Sequence, residues 1–183
     1  MVIANRGSNR IAISALETKP GELILELGCG SGHAIHALDA LRSAKCIFGI
    51  DHSGTVLKQA VRLNAAGARE HRIHLLRGRI DALPLSDNSI DKILGVHVVY
   101  FANETTIREV YRVLRRGGRL VLVATEKKIM KSWGFGVSHR LFEQQELAQL
   151  LVNGGFATGE LQVIPVALMP GVRGLLAIAT KGN

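Results

Sequence analysis

The stretch Ile24-Leu-Glu-Leu-Gly-Cys-Gly-Ser-Gly-His-Ala34 decides the fold. An apolar run leads into glycines at 28, 30 and 32, and Ala34, Ile35, Leu38 and Leu41 then fall on one helical face between Ser31 and Leu41. Glycine reaches backbone conformations closed to other residues and removes the Cβ that would keep a ligand from the main chain. A helix starting behind such a turn points free N–H groups at whatever sits there. The plainer alternative is a tight turn with no ligand.

Strand and helix patterns alternate along the rest of the chain. Short apolar runs predict strands at 23–27, 45–50, 72–76, 92–98, 119–124, 161–166 and 174–180. Between them, Ser53 can cap a helix running to Ala66, and Asn103 can cap another. In the latter, Ile107, Val110, Tyr111 and Leu114 share a face and Gly117 closes the pattern; Leu147, Leu150 and Leu151 repeat it before Gly154-Gly155. Alternation of this kind predicts an open, mainly parallel α/β sheet with helices on both faces. Ligands of such sheets bind beyond the carboxyl ends of the strands, where strand order reverses, and the glycine turn ends the first strand.

The 183 residues suit one domain spanning 1–183, with 47% apolar and 21% charged residues. No apolar run is long enough to span a bilayer, and the first residues lack the basic-then-apolar pattern of a secretory signal, so a cytoplasmic location is expected. Cys29 and Cys46 have no metal-ligand spacing, which predicts two reduced thiols and no metal site. The net charge of +8 favours an anionic partner without choosing among nucleic acid, membrane surface and acidic metabolite. The basic residues are scattered and aromatic residues make up only 4%, so a solvated basic surface is the plainer reading.

Two nucleotide-binding motifs fail at the glycine turn. A dinucleotide fingerprint needs a third glycine where His33 stands, and a phosphate-binding P-loop needs a Gly-Lys-Ser/Thr that is absent. The pattern Glu26-Leu-Gly28-Cys-Gly30-Ser-Gly32 instead resembles the first motif of the class I S-adenosylmethionine-dependent methyltransferases. The chemistry suits the change, because an acid ahead of the glycines can face a ligand that carries a sulfonium and an ammonium. Asp51, at the end of the second predicted strand, can accept hydrogen bonds from both ribose hydroxyls; its alternative is a helix cap.

Two further segments carry the resemblance. Leu83-Pro-Leu-Ser-Asp-Asn-Ser-Ile-Asp-Lys-Ile-Leu94 and Arg108-Glu-Val-Tyr-Arg-Val-Leu-Arg-Arg-Gly-Gly-Arg-Leu-Val-Leu122 are similar to segments of small-molecule class I enzymes, the group that includes the ubiquinone and menaquinone biosynthesis methyltransferases. The likeness runs from about Ile11 to Thr125. It implies a Rossmann-like three-layer sandwich, with a seven-stranded, mostly parallel sheet whose last strand is antiparallel. It also implies S-adenosylmethionine as cofactor and S-adenosylhomocysteine as product. Gly28, Cys29, Gly30 and Gly32 would surround the cofactor's amino acid part with Glu26 facing its cation, Asp51 would take the ribose, and His52 would lie beside the adenine. Where the family often has an acid reading the adenine amino group, this chain has Gly78-Arg79-Ile80, and arginine cannot accept a hydrogen bond. Recognition then falls to backbone near Arg79 and Ile80 and to packing from Val56 or Leu57, with Asp81 as either a substitute acceptor or a turn residue.

Transfer from a sulfonium is an in-line displacement, so positioning can supply much of the acceleration. His97, at the end of the fourth predicted strand, is the candidate base and a candidate cofactor contact; a packed or pocket-shaping role is the alternative. Tyr100, Trp133 and Phe135 are candidates for contacting a small-molecule acceptor, the last two from a lid over 126–140 that could equally be a solvated loop. A nucleic-acid methyltransferase suits the basic charge but lacks the Asn/Asp-Pro-Pro-Tyr signature, and a non-catalytic binding protein is the other alternative. A homodimer that completes an open pocket is a further expectation.

Overall fold

The apolar runs become strands because the sheet is covered on both faces: in β4 (Ile90–Val96) every position through Gly95 is buried. A computed structural model describes residues 2–134 and 140–182. The other strands are β1 (Leu23–Leu27), β2 (Cys46–Asp51), β3 (Ile73–Arg77), β5 (Leu114–Thr125), β6 (Leu161–Met169) and β7 (Val172–Thr180). They form one seven-stranded sheet in the order β3-β2-β1-β4-β5-β7-β6, and β7 alone runs antiparallel to its neighbours. Strand order reverses between β1 and β4, so the predicted crevice opens beside the glycine turn.

Side chains alternate across each strand and divide the core into two layers. Leu25, Leu27, Ile93, Leu120 and Leu122 face α5 (Glu104–Val113) and α7 (Gln144–Asn153). Ile24, Ile47, Leu94, Val121 and Val123 face α1 (Val2–Leu16), α2 (His33–Ala40) and α3 (Gly54–Leu63). Truncating one of these fully buried residues, Ile24 for example, costs about 2–5 kcal/mol because a cavity remains. Glu26 follows Ile24 by two positions, so β1 delivers its carboxyl to the second layer, under the start of α2.

The two downstream motifs prove to be structural joints. Arg112 on α5 donates from Nε to Glu109 Oε1 at 2.8 Å and from Nη1 to the Leu85 carbonyl at 2.8 Å and Asp87 Oδ1 at 2.7 Å. Its Nη2 donates to the Leu83 carbonyl at 3.1 Å, and Glu109 Oε2 accepts the Leu83 N–H at 2.9 Å. One guanidinium fork therefore fastens the loop before β4 to α5. Asp91 accepts the Leu23 N–H at 2.6 Å and pairs with Arg115, tying β1 to β4 at the end away from the glycine turn.

Several sequence expectations need correction. Helix α1 carries no strong apolar stripe and was not expected. The helix predicted from Ser53 to Ala66 breaks at Asn64, whose amide donates to the carbonyls of Ala60 and Gly32 and starts the short α4 (Ala65–Arg69). Helix α5 stops at Val113 rather than running toward Gly117. Lys181 Nζ caps its end by donating to the carbonyls of Tyr111 (2.6 Å) and Leu114 (2.8 Å), and Leu114 already pairs with Ile90. Strand β4 ends at Val96 rather than Val98, because His97 takes φ 58° and the chain enters a 3-10 turn over Val99–Phe101. The expected lid begins with a helix, α6 (Lys127–Ser132), which buries Met130.

Candidate functional site

Glycines 28, 30 and 32 take φ of 60°, 53° and 79°, all in the left-handed region, and carry the chain from β1 into α2. At Gly28 a Cβ would stand 2.6 Å from Val98 Cγ2, so packing alone requires glycine. At Gly30 it would meet nothing nearer than the Gly28 carbonyl oxygen and Val56 Cγ1, both at 4.0 Å; the space in front of this backbone is open. No side chain caps α2 from the Gly32 position, and the Ile35 N–H in the first turn of the helix lies toward the Glu26 carboxyl. Burial holds that carboxyl above the usual range, at about 8, helped by nearby Asp51 and opposed by the Ile35 N–H. Its second oxygen, Oε2, is buried without a hydrogen-bond partner. A buried polar atom in that state calls for a ligand or water.

Asp51 ends β2 and is fixed by two backbone donors: Gly30 N–H to Oδ2 at 3.0 Å and Ser53 N–H to Oδ1 at 2.8 Å. Each oxygen keeps accepting capacity for a further donor. Ser53 caps α3 as expected, accepting from Val56 N–H. The Asp51 carboxylate thus ties the glycine turn to the start of α3.

A cavity of about 910 Å³ opens in front of this turn. Glu26, Gly28, Cys29, Gly30 and Val56 line it, as do Ser31 and His33 at the start of α2. The Cys29 thiol is pushed up by burial and stays protonated. The far wall is α1, through Arg6, Asn9, Arg10, Ile13 and Ser14. The sequence offered a thin signal for that wall: Ser8, Ala12 and Leu16 are the buried face of α1, and the small Gly7, Ser8 and Ala12 let the helix approach the sheet.

His52, Arg79, Ile80, His97, Tyr100 and Trp133 lie outside the cavity lining. His97 Nε2 stands 3.0 Å from the hydroxyl of Ser8 on α1, and Nδ1 stands 3.3 Å from the Tyr100 hydroxyl. That hydroxyl accepts the Thr125 N–H at 2.6 Å, so a hydrogen-bonded chain joins α1 to the carboxyl ends of β4 and β5. Burial pulls the His97 imidazole down to about 4, and it is neutral at physiological pH. Tyr100 is a core residue, 6% exposed. The His52 side chain is exposed at the end of β2, and Ile80 packs against the core. Arg79 Nε donates to Asp81 at 2.8 Å, so the candidate substitute acceptor is engaged by the residue that raised the question. Trp133 is half exposed at the end of α6, and Phe135 lies outside the described residues.

Residues 25–122 match the methyltransferase domain family, more than half of the chain. Demethylmenaquinone methyltransferase of Symbiobacterium thermophilum is 31% identical over 132 residues, covering 70% of this chain and 52% of that protein. The methyltransferase YdaC of Bacillus subtilis is 29% identical over 124 residues, covering 67% and 66%. The chain thus spans about half to two thirds of the length of these curated relatives. A Haloferax volcanii methyltransferase solved in complex with the Trm112 activator has the same fold, with a TM-score of 0.82 over 97% of this chain and 90% of that one at 19% identity. The motif spacing, the strand order and the domain match agree: the chain belongs to the class I S-adenosylmethionine-dependent methyltransferase family.

Proposed function

We propose that this protein transfers a methyl group from S-adenosylmethionine to a small-molecule acceptor. The observation that carries the reading is the Glu26 carboxyl, buried with Oε2 unpaired on the wall of the cavity that glycine backbone lines opposite α1. An ammonium facing Oε2 donates a hydrogen bond to that atom, and ionising the carboxyl, with its proton released to solvent, then yields a charge-assisted pair. The open space before Gly30 admits a ligand against the main chain. Asp51 has the acceptor capacity for ribose hydroxyls, and Val56 supplies an apolar wall for the adenine, with His52 and the backbone around Arg79 and Ile80 beyond it.

Bound there, the cofactor supplies an electrophilic methyl group on a sulfonium. The residues of the chain then have mainly to hold the acceptor in line and exclude water. His97 serves as a positioning group that clamps α1 against the sheet, because both ring nitrogens are engaged and its basicity is low. Trp133 is the described residue on the expected lid with apolar surface to offer an acceptor. A relative named for demethylmenaquinone supports the choice of a small molecule.

Calorimetry with S-adenosylmethionine and S-adenosylhomocysteine, followed by methyl transfer across a panel of small molecules and nucleic acids, tests the proposal. Binding of both and transfer to a small molecule is expected. No binding of either at millimolar concentration overturns the cofactor, and transfer confined to nucleic acid overturns the acceptor class.

A further inference from the structure

The cavity is longer than the glycine turn requires. Ser8 of α1 meets His97 at the carboxyl end of β4, while the Ala15 carbonyl accepts from Arg119 Nη1 at 2.9 Å, where the continuous parallel pairing of β5 with β4 begins at Lys92 and Arg119. Helix α1 therefore descends from the carboxyl edge of the sheet, as α2 does, and the two flank a groove. Arg6, Arg10 and Ser14 lie one turn apart along the α1 wall, a span of about 12 Å at about 1.5 Å per residue. Ala37 and Leu41 answer from the α2 side.

The charge in this groove is unbalanced. Arg72, Arg112, Arg115 and Arg119 each face a carboxylate elsewhere in the fold. Arg6 and Arg10 have no acidic partner among the described residues, and the one acid lining the cavity is Glu26, whose burial favours its neutral form. Two guanidiniums on the wall of a concave site concentrate positive potential there. Their forked donors match a carboxylate or phosphate.

We propose that Arg6 and Arg10 form an anion-binding subsite on the α1 wall, which holds a carboxylate or phosphate group of a ligand lying in the groove. The subsite deepens the methyltransferase reading and rests on it for one of two sources of the anion. That source is the amino-acid carboxylate of the cofactor; the other is an anionic group on the acceptor, whose hydrocarbon part lies along Ile13, Ala37 and Leu41.

The experiment compares the full chain with the double variant Arg6→Gln/Arg10→Gln. Both arginines are exposed, and matching thermal melts check the fold. The probes, measured by calorimetry at low salt, are S-adenosylhomocysteine, neutral 5′-methylthioadenosine, which lacks the amino-acid part, decanoate and decyl phosphate. Losing a charge-assisted contact weakens binding about tenfold to a hundredfold. A loss of that size for S-adenosylhomocysteine, with 5′-methylthioadenosine unchanged, supports the subsite and assigns the anion to the cofactor. The same loss confined to decanoate or decyl phosphate supports it and assigns the anion to the acceptor. If every probe binds the variant as it binds the natural protein, or no anionic probe binds the natural protein, the subsite is overturned. If neither nucleoside binds the natural protein, the cofactor reading fails by itself, and the two alkyl anions decide the subsite on the same criterion.

Discussion

Replacing Glu26 by glutamine separates the cost of burying this carboxyl from its use. The group titrates near 8 in the folded chain against a reference value of 4.5, so between those values the folded state holds a proton that the unfolded state has lost. Stability therefore falls as pH rises through that window. The contribution is intact below pH 4.5, is reduced by about 3 kcal/mol at pH 7, and approaches a loss of about 5 kcal/mol above pH 8, at about 1.4 kcal/mol per unit. Glutamine has no proton to lose and keeps an oxygen for the Ile35 N–H. Urea unfolding at half-unit steps from pH 5 to 8.5 should show the variant gaining on the natural protein as pH rises, with the two nearly equal at pH 5. Ligand binding should run the other way: the glutamine variant loses about tenfold or more in affinity for S-adenosylhomocysteine, because an amide replaces the partner of its ammonium. Binding to the natural protein at pH 7 should also release a proton, seen as a dependence of the calorimetric heat on buffer ionisation enthalpy. Parallel stability profiles for the two proteins would refute the assignment of a neutral, ligand-seeking carboxyl.

Four further outcomes follow from the same geometry. His97, drawn down to about 4 from 6.5, binds fewer protons folded than unfolded between those values, so its contribution is full above pH 6.5 and lost as pH falls toward 4; His97→Gln should flatten that part of the acid unfolding profile. Gly30→Ala strains one left-handed residue by about 1–2 kcal/mol but puts a methyl into the cavity, so S-adenosylhomocysteine affinity should fall at least tenfold while the melting temperature shifts by a few degrees. Gly28→Ala, which drives a Cβ into Val98, should instead lower stability more than Gly30→Ala does. Arg112→Met removes the fork between α5 and the loop before β4; it should cost about 2–3 kcal/mol in urea unfolding and raise amide exchange at residues 83–89.

How much of this could be read from the chain depends on where the signal is local. The glycine turn, Asp51 and Ser53 were legible because each demand is met within a few residues: a left-handed backbone, a strand end, a helix start. The same holds for the apolar runs of β1, β2 and β5, whose burial on both faces leaves no alternation to misread. The downstream motifs pointed to the family and carried no role of their own in the linear reading. In the fold, Glu109, Arg112 and the buried Asp91 each find their partners on another element, and such partners are invisible in a linear reading. His97 shows the same limit. Its place at the end of β4 left a base and a packed, pocket-shaping role both open, and its environment is set by Ser8, far back in the sequence, and by Tyr100.

Helix α1 is the case where periodicity fails for a physical reason. A helix that packs through bulk shows a stripe of large apolar residues, whereas this one packs through closeness: a Cβ on Gly7 would stand within bonding range of the Leu168 carbonyl oxygen, and Ser8 and Ala12 are fully buried. Small residues carry little hydrophobic signal, so the helix reads as an unpatterned leader. Yet closeness is what makes it a wall. Held that near to the sheet, α1 turns Arg6 and Arg10 toward the glycine turn, and the basic charge that looked scattered along the chain acquires a place in the cavity. The net charge of +8 therefore says little as a total, because several arginines face carboxylates in the fold and the functional question rests on those that do not.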